Sequence, residues 1–235
     1  MKVILGVLGN SKDQSNSEYD LRINFLSFRV SFKIGLLGTS RMIVCVLHVF
    51  YRTVVEDFTF CCINAEDERC LGWLDAQQVG SVIYVSFGRT SLKSNQQQEE
   101  IALGLESSQQ PFLWVLRMDI AQGKPVVLPH GFLERIGDRG LIVGWAPQVK
   151  VLSHASVGAF LTHSGWNSVI ENIGFRIPML GWPYFADQFL NCRFVNDVWK
   201  TGMDFKGVDV DEYRLVSREE VENGVRRIME CEEAR

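Results

Sequence analysis

Residues 141–188 read LIVGWAPQVKVLSHASVGAFLTHSGWNSVIENIGFRIPMLGWPYFADQ. Three short apolar runs punctuate this stretch: LIVG (141–144), VGAFLTH (157–163) and PMLGW (178–182). Between them lie segments that suit helices starting near Gln148, Asn167 and Asp187. Short continuous apolar runs alternating with helical segments predict βαβ units, and hence a parallel sheet covered by helices on both faces.

The same rhythm extends outward in both directions. SVIYVSF (81–87) reads as the first clear strand and FLWVLR (112–117) as the second. The helix between them starts at about Ser94, where Ser94 and Gln97 fit a capping box and Ile101 and Leu105 share one face. A last helix starts near Ser217, with a Ser217/Glu220 capping box and an apolar stripe at Val221, Val225, Ile228 and Met229. The strands run in the order of a doubly wound, Rossmann-like unit. We therefore expect an α/β domain over residues 66–235. Residues 1–65 form an atypical segment: LRINFLSFRVSFKIGLLG alternates as strands do, but it carries no βαβ rhythm and no motif. GVLGN and GLLGTS do not make a G-x-G-x-x-G turn.

Composition narrows the function. The 235 residues are 46% hydrophobic and 22% charged, with a net charge of −4, so no broad basic surface is available to neutralise a nucleic-acid backbone. The six cysteines, at 45, 61, 62, 70, 192 and 231, form no CxxC pair and read as reduced thiols. The N-terminal apolar stretch is too short for a signal peptide, and residues 34–51 fall short of the ~20 apolar residues of a membrane helix. These features imply a cytoplasmic protein without a membrane span.

The polar residues of the stretch are spaced for a nucleotide sugar. Trp145 follows a strand, at the edge where open α/β sheets bind ligands, and its ring can stack on a flat base. Gly165 lets backbone approach a ligand, and Asn167 and Ser168 stand where a helix begins, a place that suits an anion. Either could equally be a simple N-cap, and a cap also faces the anion. Glu171 lies one turn further on the same face, where a carboxylate can accept both hydroxyls of a ribose. Asp187 and Gln188 offer acceptors and an amide to sugar hydroxyls, and Trp166 adds an apolar wall.

From Trp145 to Gln188 the sequence resembles, without a gap, the 44-residue signature (PSPG) box of plant UDP-dependent glycosyltransferases. The resemblance implies the C-terminal, donor-binding half of a GT-B glycosyltransferase. It assigns uracil to Trp145, with Ala146 and Gln148 reading the base edge and the ribose. It assigns the diphosphate to His163, Asn167 and Ser168, and the hexose to Asp187 and Gln188. A Gln at the closing position goes with glucose as the donor sugar in this family. SFGRT (86–90) resembles the family's SFGS loop, which brings Gly88 and Arg89 to the diphosphate. Arg89 in place of Ser, Arg176 in place of Gly and Ser164 in place of Cys depart from the usual pattern. Arg89 could pair with phosphate or crowd the loop.

The implied reaction is transfer of a hexose from UDP-glucose, or a related UDP-sugar, to a hydroxyl of a small lipophilic metabolite, with inversion and without a metal or other cofactor. Inversion requires a general base at the acceptor hydroxyl. In the family this is a His in an N-terminal domain, oriented by an Asp, and neither is recognisable in residues 1–65. His48, His130 and His154 sit in no motif. We therefore expect a truncated chain, and a UDP-sugar-binding fragment without catalysis stands as the alternative. A dinucleotide-dependent oxidoreductase is disfavoured because no G-x-G-x-x-G opens a helix.

Overall fold

The computed structural model describes residues 18–25, 28–35, 69–88, 94–116, 126–205 and 214–230. The chain divides into two compact units, residues 1–59 and 60–235. In the first, strands β1 (Glu18–Phe25) and β2 (Phe28–Gly35) pair antiparallel, from Glu18 opposite Gly35 to Phe25 opposite Phe28. The boundary expected near residue 65, the apolar segment 34–51 beyond Gly35, and His48 lie outside the described residues.

The second unit opens with α1 (Arg69–Asp75), then β3 (Val82–Ser86), α2 (Asn95–Ser108), β4 (Phe112–Val115) and α3 (Phe132–Ile136). It continues through β5 (Gly140–Val143), α4 (Gln148–Leu152), β6 (Val157–Thr162), α5 (Trp166–Phe175) and β7 (Met179–Gly181). The last described elements are α6 (Gln188–Arg193), which runs on into a π-helical turn at Phe194–Val198, β8 (Gly202–Asp204) and α7 (Arg218–Glu230). The strands form one parallel sheet in the order β5-β4-β3-β6-β7-β8. The chain winds outward to one side from β3 and to the other from β6, which is the doubly wound arrangement the sequence predicts.

Burial explains the continuous apolar runs. Every residue of β3 and β6 is buried, because helices cover both sheet faces and leave no side for polar residues. On one face Ile83, Val85, Trp114 and Leu161 pack with Ile101 and Leu105 of α2 and with Val221, Val225 and Ile228 of α7. On the other, Val82, Tyr84, Leu113 and Phe160 pack with Cys70 and Leu74 of α1 and with Val151 and Leu152 of α4. Each large side chain so buried contributes roughly 1.5–3 kcal/mol.

Two caps show how local and distant contacts cooperate. Ser94 accepts from Gln97 N at 3.1 Å, but the Gln97 side chain does not reach back as a capping box would. It instead donates to Val216 O (2.8 Å) and accepts from Val216 N (2.9 Å), joining α2 to the strap before α7. The Ser217/Glu220 box closes in both directions: Ser217 N donates to Glu220 Oε2 at 3.1 Å, and Glu220 N donates to Ser217 Oγ at 3.4 Å. Beside it, Glu100 of α2 accepts from the backbone N of Arg218 and from its guanidinium.

Candidate functional site

In a doubly wound sheet the crevice for a ligand opens where the winding reverses, at the C-terminal ends of the two central strands. Here those ends are Ser86–Phe87–Gly88 after β3 and His163–Ser164–Gly165 after β6. Phe87 packs edge-on against Trp182, which in turn packs on Phe205, so the loops after β3 and β7 are tied by aromatic contact.

His163 is 9% exposed and wedged between two glycines. A Cβ on Gly88 would stand 2.7 Å from His163 Nε2, and one on Gly165 would collide with the same nitrogen. Gly88 also has φ +68°, a conformation that side-chain-bearing residues rarely adopt. The glycines are thus where the imidazole requires them.

The turn between His163 and α5 is held in an unusual conformation. Ser164 has φ +60°; its N–H donates to Thr162 Oγ1 at 3.2 Å, and its carbonyl accepts from Asn191 Nδ2 at 3.1 Å. This geometry delivers Gly165 as the N-cap of α5, extended at φ −62° and ψ 142°, with no side-chain hydrogen bond at the cap. The N-cap is therefore Gly165 rather than Asn167 or Ser168, which occupy the first turn together with Trp166. A first turn without a side-chain cap presents backbone N–H groups and the positive end of the helix dipole to whatever enters the crevice.

Gln148, the first residue of α4, bridges to α5. Its Nε2 donates to Ser168 Oγ at 3.0 Å and to Glu171 Oε2 at 2.8 Å. Its Oε1 accepts from the hydroxyl of Tyr84 at 3.4 Å. Burial pushes the Tyr84 phenol well above its ordinary range, and the Glu171 carboxylate adds to that rise, so Tyr84 remains a donor at neutral pH. The sequence pairs Gln148 with Glu171 only through separate ligand roles, and it gives no hint of Tyr84, which lies 64 residues away inside an apolar run.

The remaining predicted residues take these places. Trp145 and Ala146 follow β5, half-buried and buried respectively. Trp166 and Asn167 are half-buried at the start of α5. Asp187 is exposed just before α6, and its Oδ2 accepts from Asn191 Nδ2 at 2.7 Å. Gln188 is 3% exposed, and its Oε1 accepts from the backbone N–H groups of Tyr184 (2.8 Å) and Phe185 (3.1 Å). That commits its oxygen to the turn. Arg89 lies outside the described residues.

His154 does have a carboxylate partner. Its Nε2 lies 3.1 Å from Asp75 Oδ1 and its Nδ1 lies 2.8 Å from Ser156 Oγ. These residues precede β6, at the end of the sheet opposite the crevice, where they cannot meet a ligand bound at His163. Cys70 and Cys192 are buried thiols outside any disulfide; the other four cysteines fall outside the described residues. Burial raises the Cys192 thiol to about 12, which keeps it protonated. Among the described residues no helix is long and apolar enough to cross a membrane.

Known proteins share this fold. Residues 49–233 match the model of the family described as UDP-glucoronosyl and UDP-glucosyl transferase. Linamarin synthase 1 of Manihot esculenta is 46% identical over 167 residues, covering 71% of this chain and 33% of that protein. UDP-glycosyltransferase 85A1 of Arabidopsis thaliana is 44% identical over 170 residues, covering 72% and 33%. The chain thus spans about a third of the length of the curated relatives it matches. Among solved structures, Phytolacca americana UGT2 complexed with UDP-2fluoro-glucose and pterostilbene superposes with a TM-score of 0.64 at 43% identity, covering 72% of this chain and 37% of that one. UDP-glucose: anthocyanidin 3-O-glucosyltransferase in complex with UDP superposes with a TM-score of 0.64 at 35% identity, covering 73% and 36%. The six-stranded parallel sheet with flanking helices is the one found in these GT-B glycosyltransferases. With a family match over more than half of its length and this fold beneath it, the chain belongs to the UDP-glucoronosyl and UDP-glucosyl transferase family.

Proposed function

We propose that the chain binds a UDP-sugar, UDP-glucose first, as the donor half of a glucosyltransferase that acts with inversion on a hydroxyl of a small lipophilic metabolite. One observation carries this reading: the glycine-capped start of α5 faces the switch-point crevice, with Glu171 one turn further along the same helix and in contact with Gln148. A diphosphate suits the first turn and His163, and a ribose suits Glu171. Uracil then falls to Trp145 with Ala146 and Gln148, and the hexose to Asp187 and Gln188. Gly88, packed against the His163 ring, completes the diphosphate side.

In the reaction so read, the acceptor oxygen bonds to the anomeric carbon from the face opposite UDP. The bond from that carbon to the diphosphate breaks, UDP departs with the electron pair, and the acceptor proton passes to a base. The amides of α5 and the imidazole of His163 stabilise the negative charge that grows on the departing diphosphate. The reading needs no metal for that task. We assign the base to none of the described residues, because the His–carboxylate pair among them, His154 with Asp75, sits at the far end of the sheet.

A second reading has the chain bind UDP-sugars without transferring them. It is favoured by the place of the His154–Asp75 pair, which lies at the end of the sheet opposite the crevice. Calorimetric titration of the full chain with UDP and UDP-glucose tests what both readings share; saturable heat from each, in mutual competition, is the expected result. No heat from either, or tighter binding of NAD, overturns both. Incubation with labelled UDP-glucose and phenolic acceptors then separates them, since glycoside appears only under the first.

A further inference from the structure

We infer that Asn191 is a positioning residue for the donor hexose: it orients the Asp187 carboxylate by anchoring it to the diphosphate turn. The inference rests on the UDP-sugar reading above and extends it to a residue outside the contacts assigned to the sugar.

The geometry is specific. Asn191 is 5% exposed and lies one helical turn after Asp187 on α6. Its side-chain amide has two hydrogens and both are used. One goes to Ser164 O at 3.1 Å and the other to Asp187 Oδ2 at 2.7 Å. Its backbone N–H donates to Asp187 O at 2.9 Å, so helix and side chain hold Asp187 together. Ser164 is itself fixed by its left-handed backbone and by Thr162 Oγ1, which makes it a firm anchor.

Asp187 by contrast is exposed, and no side-chain hydrogen bond of its own caps the helix. An exposed carboxylate on a single-bonded stem samples several rotamers, and ordering it only when a sugar binds costs free energy that prior ordering avoids. Asn191 supplies that ordering from the protein side. Because the same amide grips Ser164, the hexose carboxylate keeps a fixed relation to the turn that leads into the first-turn amides of α5. The sequence separation of 27 residues between Ser164 and Asn191 hides this link from any local motif.

The Asn191 amide bonds a charged group, so losing the orientation should be readily measured. The experiment compares UDP with UDP-glucose by calorimetry on the full chain, in the wild type, Asn191→Leu, Asp187→Ala and the double variant. Asn191→Leu is near-isosteric and removes both donated bonds. The expected result is a shift of the UDP-glucose to UDP affinity ratio by about tenfold against UDP-glucose. Asp187→Ala should shift the ratio similarly, and the double variant no further than either single one, since the two act as a unit. A merely structural Asn191 would weaken UDP and UDP-glucose alike. An unchanged ratio in folded Asn191→Leu, or additive shifts, overturns the inference and leaves the UDP-sugar reading intact. A wild type that binds neither ligand overturns both. If Asn191→Leu does not fold, Asn191→Gln, which keeps a buried amide but carries it one methylene too far, gives the same readout.

Discussion

Gln148 Nε2 donates to Glu171 Oε2 across 2.8 Å, joining the first residue of α4 to the second turn of α5. The contact steadies the carboxylate that the UDP-sugar reading gives to a ligand. If that ligand is a ribose, the loss on truncation must depend on the ribose hydroxyls. Glu171→Ala should lower UDP affinity about tenfold, the size of one or two charge-assisted hydrogen bonds, and should leave 2′,3′-dideoxy-UDP almost unaffected. Paired calorimetric titrations measure this, and an equal loss for both nucleotides would sink the ribose assignment.

Gly88 tests the wedge around His163. Alanine there must adopt φ +68°, which costs roughly 1–2 kcal/mol, and its Cβ would lie 2.7 Å from His163 Nε2. The imidazole has little room to retreat because Gly165 confines it on the other side. Gly88→Ala should therefore lower the melting temperature by roughly 2–8 °C and reduce UDP affinity by more than tenfold. The variant's melting curve and UDP isotherm check the two parts separately, and normal UDP binding would show that His163 is not held for the diphosphate.

The junction of α2 with α7 should be acid-sensitive. The fork from Arg218 holds the Glu100 carboxyl below its ordinary 4.5, and Arg214 does the same for Glu220. A carboxylate whose folded pKa is depressed stabilises the fold above its unfolded value, and that contribution is lost as pH falls through the depressed folded value. Stability should therefore hold down to about pH 4.5 and then fall. In the double variant Glu100→Gln, Glu220→Gln it should be lower at pH 7 and should decline less between pH 5 and pH 3. Denaturant melts at pH 7, 5, 4 and 3 give the comparison; parallel curves for the two proteins would remove these pairs from the account.

How much of this could be read from the chain follows from where the information lies. β3 and β6 were legible because strands buried on both faces are continuous apolar runs, and the crevice followed from the order of strands and helices. β8 was not legible: Gly202–Asp204 is a three-residue strand at the sheet edge, its residues half-buried or exposed, and it carries no apolar run. The residues expected to meet the ligand stand in one contiguous motif, but the residues that hold them do not. Tyr84 reaches Gln148 from 64 residues away, and Gln97, read as half of a local cap, bonds instead to Val216 across 119. Such contacts depend on how the helices pack, which no local spacing encodes.

Arg176 shows the opposite case, where an odd residue in the sequence finds a backbone reason. It follows α5 as the C-cap at φ +59° and ψ 34°, with its N–H donating to Ile173 O at 3.2 Å, and its side chain is exposed. The left-handed conformation costs a residue with a Cβ about 1 kcal/mol or more, whereas glycine adopts it freely. Glycine also gives back about 0.4–1 kcal/mol through greater freedom in the unfolded chain. The balance favours a small gain, so Arg176→Gly should raise the melting temperature by about 1–4 °C without altering UDP affinity. Gln109 is the internal control, since it caps α2 at φ +60° but also donates from its side chain to Glu106 O at 2.9 Å. Glycine there would relieve the same backbone strain and forfeit that bond, so Gln109→Gly should gain less than Arg176→Gly. Thermal melts of the two variants decide the point: equal gains would mean that the side-chain bond contributes nothing, and a loss at Arg176 would mean that its conformation carries no strain.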